Sequence, residues 1–295
     1  MRQLFYYMSW YFKARFLNKK KPLQTVLAIS DQCNMTCKHC SVYNHNPIIK
    51  TYAQVQEELL YAYNGGSRIV DFQGGEPTIW KDGEYNLNSL IRLAKKMGFY
   101  SVTATTNGLE PFPDLESDTL WVSLDGLGAY HDDIRGKGAF DKLVENVATC
   151  NHKNLSANMV VNNRNYPSVA ETIQFVRESP YIRTIAINFH TPYPKTGDLF
   201  LDWEKREEVI DLVLRMKQEG YPILNSKSGL NFMRRNDFEK ICWISGFILP
   251  DGSKYDECPG RLIDLCERCG YSMAGEMRSV FDFKLDTILA GVNMR

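Results

Sequence analysis

The chain has no surplus of charge of either sign, with 35 Lys and Arg set against 35 Asp and Glu. That balance leaves no global basic field, so nucleic acid is not an expected partner. No apolar run is long enough to cross a bilayer, and the N-terminus lacks the small-residue cleavage site of a secretory signal. Cysteine is scarce too. Eight in 295 residues is far below the density of a secreted scaffold stapled by disulfides. No internal repeat or low-complexity stretch stands out. What remains is an ordinary globular composition, with room for one large domain and a smaller unit.

The few cysteines are gathered. Cys33, Cys37 and Cys40 stand in the run Cys33-Asn34-Met35-Thr36-Cys37-Lys38-His39-Cys40, just after a short apolar stretch. Three thiolates at this spacing can wrap one corner of a [4Fe–4S] cubane, which is usually held by four cysteines. Three ligands leave one iron open, and an open iron can bind a substrate. A tetrahedral zinc site with His39 as fourth ligand is the alternative. His39 and Cys40 are adjacent, however, so both reaching one small ion would strain the loop. Redox thiols without metal are a further alternative.

Strand and helix patterns alternate through the middle of the chain. Strands are expected at 25–30, 68–72, 101–105, 120–124, 156–161 and 182–188. Helices are expected at 53–63, 87–97, 140–151, 168–178 and 201–218, with Gly65-Gly66, Gly98 and Gly220 as stops. This alternation predicts a parallel α/β sheet whose right-handed crossovers curl it into a partial barrel. Chemistry in such barrels sits at the C-terminal strand ends. The distinctive motifs fall there: Gly74-Gly75-Glu76-Pro77, Thr105-Thr106-Asn107-Gly108, Ser123-Leu124-Asp125-Gly126, then His131-Asp132 and Arg135-Gly136-Lys137-Gly138-Ala139-Phe140.

The cysteine run together with this ordered series resembles the radical S-adenosylmethionine (SAM) superfamily, in the branch carrying SPASM or Twitch extensions. The resemblance spans about residues 23–295. It implies a partial (β/α)6 TIM-like barrel over 23–225, a small C-terminal Twitch-like cluster-binding extension over 226–295, and an N-terminal aromatic and basic segment over 1–22. It also implies an enzyme that cleaves SAM reductively at a [4Fe–4S] cluster to a 5′-deoxyadenosyl radical, which then acts on an unactivated carbon. By the same resemblance the open iron takes the amino and carboxylate groups of SAM. Gly74, Gly75 and Glu76 form the turn that meets the methionine amino group, and His39 lies near the adenine. Ser123 and Asp125, at a strand end, are candidates for polar contact with SAM or substrate. Arg135 is a candidate partner for the SAM carboxylate, because guanidinium forks suit carboxylates. Asn107 is a further cofactor-binding candidate and also, within Asn-Gly, a turn signal. No catalytic acid or base is assigned.

Cys242, Cys258, Cys266 and Cys269 form a second set, enough for a complete auxiliary [4Fe–4S] cluster. Leu249-Pro250-Asp251-Gly252 reads as a turn between short strands at 244–248 and 254–256. The set resembles the Twitch-type half of a SPASM domain. Full SPASM domains use seven cysteines, and the gap from Gly252 to Cys258 is one residue longer than usual. A tetrahedral S4 zinc site is the rival reading. Cys150 reads as a small buried apolar residue.

Three substrate classes are expected: peptide, lipid or isoprenoid, and small polar metabolite. The lipid class follows from a likeness to adenosyl-hopene transferases in the Cys269-Gly270-Tyr271 run. No leader-binding domain is expected in the 22 residues before the first strand. A flavodoxin or ferredoxin is the expected reductant, and the oxygen-sensitive cluster makes the cytosol the expected compartment. Residues 1–22 mix seven aromatics with six basic residues and no acid. They read either as a helix packed on the barrel or as a peripheral contact with an anionic membrane.

Overall fold

The computed structural model describes residues 2–40, 48–112 and 114–293, and side chains within 3–290 of these. Six parallel strands follow one another in chain order: β1 (Gln24–Ala28), β2 (Ile69–Gln73), β3 (Ser101–Thr106), β4 (Thr119–Ser123), β5 (Leu155–Val161) and β6 (Thr184–Phe189). Their side chains alternate. Val70, Phe72, Val102, Ala104, Ile185 and Ile187 are fully buried in the core. The intervening Asp71, Gln73, Thr103, Thr105, Asn158 and Asn188 are only half-buried on the other face. Thr103 Oγ1 donates to Asp71 Oδ1 at 2.6 Å, and Asn188 Nδ2 to Asn158 Oδ1 at 2.7 Å. One face is thus a dry helix-packed layer, and the interior face of the partial barrel is polar.

Ten helices accompany the strands among the described residues. They are α1 (Arg2–Phe16), α2 (Tyr52–Gly65), α3 (Leu87–Met97), α4 (Ala129–Arg135), α5 (Ala139–Ala148), α6 (Val169–Glu178), α7 (Trp203–Gln218), α8 (Lys227–Met233), α9 (Ser272–Phe281) and α10 (Leu285–Asn293). Their ends follow local chemistry. Thr51 and Gln54 make a capping box at the start of α2, and Asn86 and Ser89 make one at α3. Gly98 closes α3 in the left-handed conformation at φ 98°.

Three differences from the expected pattern matter. The first strand stops at Ala28, because Ser30 turns off to bridge Ile49 and open the cysteine loop. The expected helix at 140–151 ends at Ala148, and the short α4 precedes it, hidden in sequence by Gly126, Gly128 and Gly136. The expected C-terminal hairpin forms as β7 (Ser245–Ile248) and β8 (Lys254–Tyr255), but it joins the main sheet. β7 pairs in parallel with β1, giving the order β8-β7-β1-β2-β3-β4-β5-β6.

The N-terminal segment is helical, and one side of it is seated. Trp10 and Ala14 are buried against Ile241, Ile244 and Phe281. Trp10 Nε1 donates to the Lys21 carbonyl at 2.9 Å, and the Tyr6 hydroxyl donates to the Gly66 carbonyl. The Arg68 guanidinium lies 5.0 Å from the Tyr6 ring centre.

Candidate functional site

The loop after β1 carries Cys33, Cys37 and Cys40, all half-buried; its residues 41–47 lie outside the described set. The Gly-Gly-Glu-Pro turn after β2 is pressed against this loop. Gly75 N donates to Ser30 O at 2.7 Å and Glu76 N to Gln32 O at 2.8 Å. A Cβ on Gly74 would stand 2.1 Å from Ser30 O, and one on Gly75 would stand 2.0 Å from Gln32 O. The close approach these glycines permit is therefore to the cysteine loop's own backbone.

Glu76 is 2% exposed and its carboxylate is occupied. Oε1 accepts from Thr78 N at 3.0 Å, Thr78 Oγ1 at 2.6 Å and Thr106 Oγ1 at 2.8 Å, and Oε2 accepts from Asn107 N at 2.7 Å. Burial pushes its pKa up, and these donors pull the other way. Glu76 thus clamps the end of β2 to the end of β3. Asn107 serves two purposes. Its Oδ1 accepts from Leu109 N at 2.9 Å, closing a turn. Its Nδ2 reaches Asn34 Oδ1 at 2.7 Å and lies 3.8 Å from Cys33 Sγ.

Asp125, at the end of β4, is wholly buried. Its Oδ1 accepts from Val160 N at 2.8 Å, and its Oδ2 accepts from Arg135 Nε at 2.7 Å. His39 Nε2 is 3.8 Å from Oδ2. Burial works against the Asp125 charge, but the Arg135 guanidinium, with His39 and His131, outweighs it and holds the carboxyl below its usual range. Arg135 Nη1 also lies 4.0 Å from Cys37 Sγ. Burial pushes His39 down to about 4 despite Asp125, so its ring is neutral near pH 7. Its buried Nδ1 has no hydrogen-bond partner among the described residues. His131 Nδ1 accepts from Asp125 N at 3.1 Å. Ser123, the last residue of β4, is buried and stands in register with Asn158.

These features bear on what the loop can hold. Among the described residues, no three His, Cys, Asp or Glu side chains converge as they would on a single metal ion. Burial raises the Cys33 and Cys37 thiols, which are ligands only as thiolates. Arg135 lies in the field of both Cys37 and Cys40 and offsets that penalty. A buried cation, a neutral histidine with an unused nitrogen and three thiols on one loop fit an anionic cluster with a polar ligand beside it.

The cysteines of the second set lie in one another's field, without converging as on a single metal ion. Cys242 is pushed up to about 12, first by burial and then by Cys258, Cys269 and Cys266 together. Asn236 Nδ2 donates to the carbonyls of Cys266 and Glu267, each at 2.9 Å. A strap ties this set to the end of β6. Phe189 N donates to Gly270 O at 2.8 Å, and Gly270 N to Thr191 Oγ1 at 2.9 Å. A Cβ on Gly270 would lie 1.8 Å from Phe189 O, so only glycine fits the Cys269-Gly270-Tyr271 run. Cys150 packs at the edge of the main core, apart from both sets.

Sequence reasoning missed several residues here. Arg206 of α7 is fully buried, with its guanidinium 4.5 Å from the Phe189 ring centre and 4.7 Å from that of Trp203. Its Nη1 donates to Cys269 O at 3.3 Å, while Nε and Nη2 have no partner among the described residues. The Tyr193 and Tyr271 hydroxyls are 2.7 Å apart. Burial raises the Tyr193 pKa, the Tyr271 bond lowers it, and Cys258, Cys269 and Cys40 raise it further, so the pair lies in the field of cysteines from both sets. His190 is buried beside His39, ring centres 6.4 Å apart. The aromatics Phe200 and Trp203 ahead of Arg206 were the one usable sequence signal.

The chain resembles several known proteins. It is 25% identical over 230 residues to the Fe-coproporphyrin III synthase of Methanosarcina barkeri, covering 70% of this chain and 55% of that protein. It is 28% identical over 170 residues to a probable GTP 3′,8-cyclase of Saccharolobus islandicus, covering 52% of this chain and 53% of that one. The chain thus spans about half the length of the curated relatives it matches. Its fold is that of Streptococcus suis SuiB, solved with its precursor peptide SuiA. The TM-score is 0.65 at 18% identity, with 92% of this chain and 67% of that one covered. Residues 27–176, which hold the first cysteine group, Glu76, Asn107, Asp125 and Arg135, match the model of the Radical SAM superfamily, and the chain belongs to that superfamily.

Proposed function

We propose that the chain is a radical SAM enzyme that binds a [4Fe–4S] cluster through Cys33, Cys37 and Cys40 and a second through Cys242, Cys258, Cys266 and Cys269. The observation that carries this reading is the buried Asp125–Arg135–His39 group beside the three-cysteine loop. Cys33, Cys37 and Cys40 would hold the first cluster, which would supply the one electron for reductive cleavage of SAM to methionine and a 5′-deoxyadenosyl radical.

The chain's own groups bind and orient. Arg135, fixed by Asp125, offers its outer nitrogens to the SAM carboxylate. Glu76 is committed to protein donors, so the ammonium group falls to backbone carbonyls of Gly74 and Gly75. His39, neutral and with Nδ1 unused, is placed to hydrogen-bond the nucleoside. Ser123 and Asn107 complete the polar wall.

The substrate reading follows from the barrel interior. Asp71, Gln73, Thr103, Asn158 and Asn188 favour a substrate rich in hydrogen-bonding groups, such as a peptide or polar metabolite, over a polycyclic hydrocarbon. A second cluster on four cysteines would suit electron relay, and the Tyr193–Tyr271 pair, in the field of cysteines from both sets, is a candidate for that relay. A flavodoxin or ferredoxin fits as reductant.

The test is anaerobic reconstitution with SAM and dithionite. The protein should release 5′-deoxyadenosine, and Cys37→Ala should abolish the product while iron bound at the second cysteine group stays. No 5′-deoxyadenosine from protein with a verified first cluster overturns the reading.

A further inference from the structure

The helix α1 is apolar on both faces. Tyr6, Trp10 and Ala14 point into the protein. The opposite side carries Leu4, Phe5, Met8, Phe12 and Phe16, each more than half exposed, with Phe5 at 75%. At 100° per residue these five cover an arc of about 120°, a stripe that Arg15 enters near its C-terminal end, rather than scattered surface residues. Further exposed apolar residues lie just before and on the C-terminal helix. Phe283 packs on Tyr11 at 5.6 Å, and Leu285 and Leu289 beyond it are 73% and 62% exposed.

The charge around the α1 part of the stripe is of one sign; on the C-terminal helix Asp286 accepts from Ser228 N and Oγ. Lys13, Lys19, Lys20 and Lys21 flank the α1 part and Arg15 lies within its arc, all exposed, and residues 1–22 contain no acid. Asp282, near Tyr11, is held by Arg278 at 2.8 and 3.0 Å. An exposed aromatic stripe edged by bases complements a surface that is apolar inside and anionic outside. A second copy would bring like-charged flanks together.

We infer that the outer face of α1, with Phe283, Leu285 and Leu289, docks this protein onto an anionic lipid bilayer, with the stripe in the acyl boundary and the lysines at the headgroups. This inference does not depend on the radical chemistry.

Co-sedimentation of the reconstituted protein with phosphatidylcholine vesicles, with and without phosphatidylglycerol, tests it. Binding should favour the anionic vesicles and weaken as salt is raised. Phe5→Asp with Phe12→Asp should lower vesicle affinity by roughly tenfold or more. Lys19→Gln, Lys20→Gln and Lys21→Gln together should lower it several-fold on anionic vesicles only. The exposed positions of Phe5 and Phe12 predict an unchanged melting temperature and 5′-deoxyadenosine yield, so a loss of affinity is not a loss of fold. Failure of the parent protein to bind anionic vesicles overturns the inference, as does equal binding by the Phe5→Asp/Phe12→Asp variant. Sedimentation velocity adds a third arm: a dimer that the same variant splits would give the stripe to a second copy and overturn lipid as its partner.

Discussion

Arg135 and Arg206 are both removed from water, yet only Arg135 has an acid to answer it. Arg135 lies 2.7 Å from Asp125, and its charge is spent within the first cysteine group. Arg206 sits among Phe189, Phe200 and Trp203, with two backbone carbonyls for hydrogen bonds and no carboxylate in its ion-pair geometry. Burial lowers its pKa to about 10, which still leaves it charged, and Cys269 pulls the other way. The difference teaches how each site handles negative charge. Under the proposed function the first group would offer three thiolates to a ligand with its own carboxylate; its arginine is held in place by Asp125. The second would offer four thiolates, and its cation would stay unneutralised until those thiolates form.

Three substitutions sharpen or break this comparison. The largest effect belongs to Arg135→Met, which leaves Asp125 buried and unpaired. It should cost about 3–5 kcal/mol, read as a lowered urea midpoint under anaerobic conditions. A cost no greater than that of Arg206→Met would break the comparison. Next comes His131, which is wholly buried against Asp125 and whose pKa falls from 6.5 to about 4 on folding, chiefly by burial. The unfolded chain therefore takes up the proton first as pH drops. Stability conferred by neutral His131 is complete above pH 6.5, declines toward pH 4 and is flat below. His131→Gln should remove up to about 3 kcal/mol of that acid loss, measured as the difference between urea midpoints at the two ends of the window. An equally steep acid limb in the variant would assign the slope to other groups. The smallest effect on stability is expected for Arg206→Met, within about 1 kcal/mol or favourable, because no acid is stranded. Its signature lies elsewhere. With a cluster on the second cysteine group, its reduction potential should fall by on the order of tens of millivolts in an EPR-monitored titration, as a buried cation is withdrawn. An unchanged potential would make Arg206 a packing residue.

Much of this arrangement was legible in the chain. The six barrel strands lie within two or three residues of their expected places, because each is a short apolar run closed by a glycine or polar motif. Cysteine spacing marked both sets as candidate ligands. What escaped was tertiary. Arg206 falls in a helix whose charged residues mostly face water, and only the packed chain shows that this one points inward. Glu76 looked like a ligand contact because its motif is distinctive, yet Thr78, Thr106 and Asn107 take up its carboxylate, and Thr106 and Asn107 approach it only once β2 and β3 are paired. α4 was invisible because three glycines and a short length erase a helical period. The N-terminal helix was ambiguous for a physical reason: apolar residues on both faces show no amphipathic pattern, and burial is needed to tell them apart.

The pairing of β7 with β1 bears on how this protein can be cut. Gln24–Leu27 form a ladder with Ile69–Phe72 on one side and with Ser245–Ile248 on the other. A barrel severed after residue 225 would keep every cysteine of the first group, but β1 would lose that outer neighbour. Its amides and carbonyls would become an open template for another chain. Such a fragment should be sticky rather than soluble, and the tail behaves as the missing stave of the sheet.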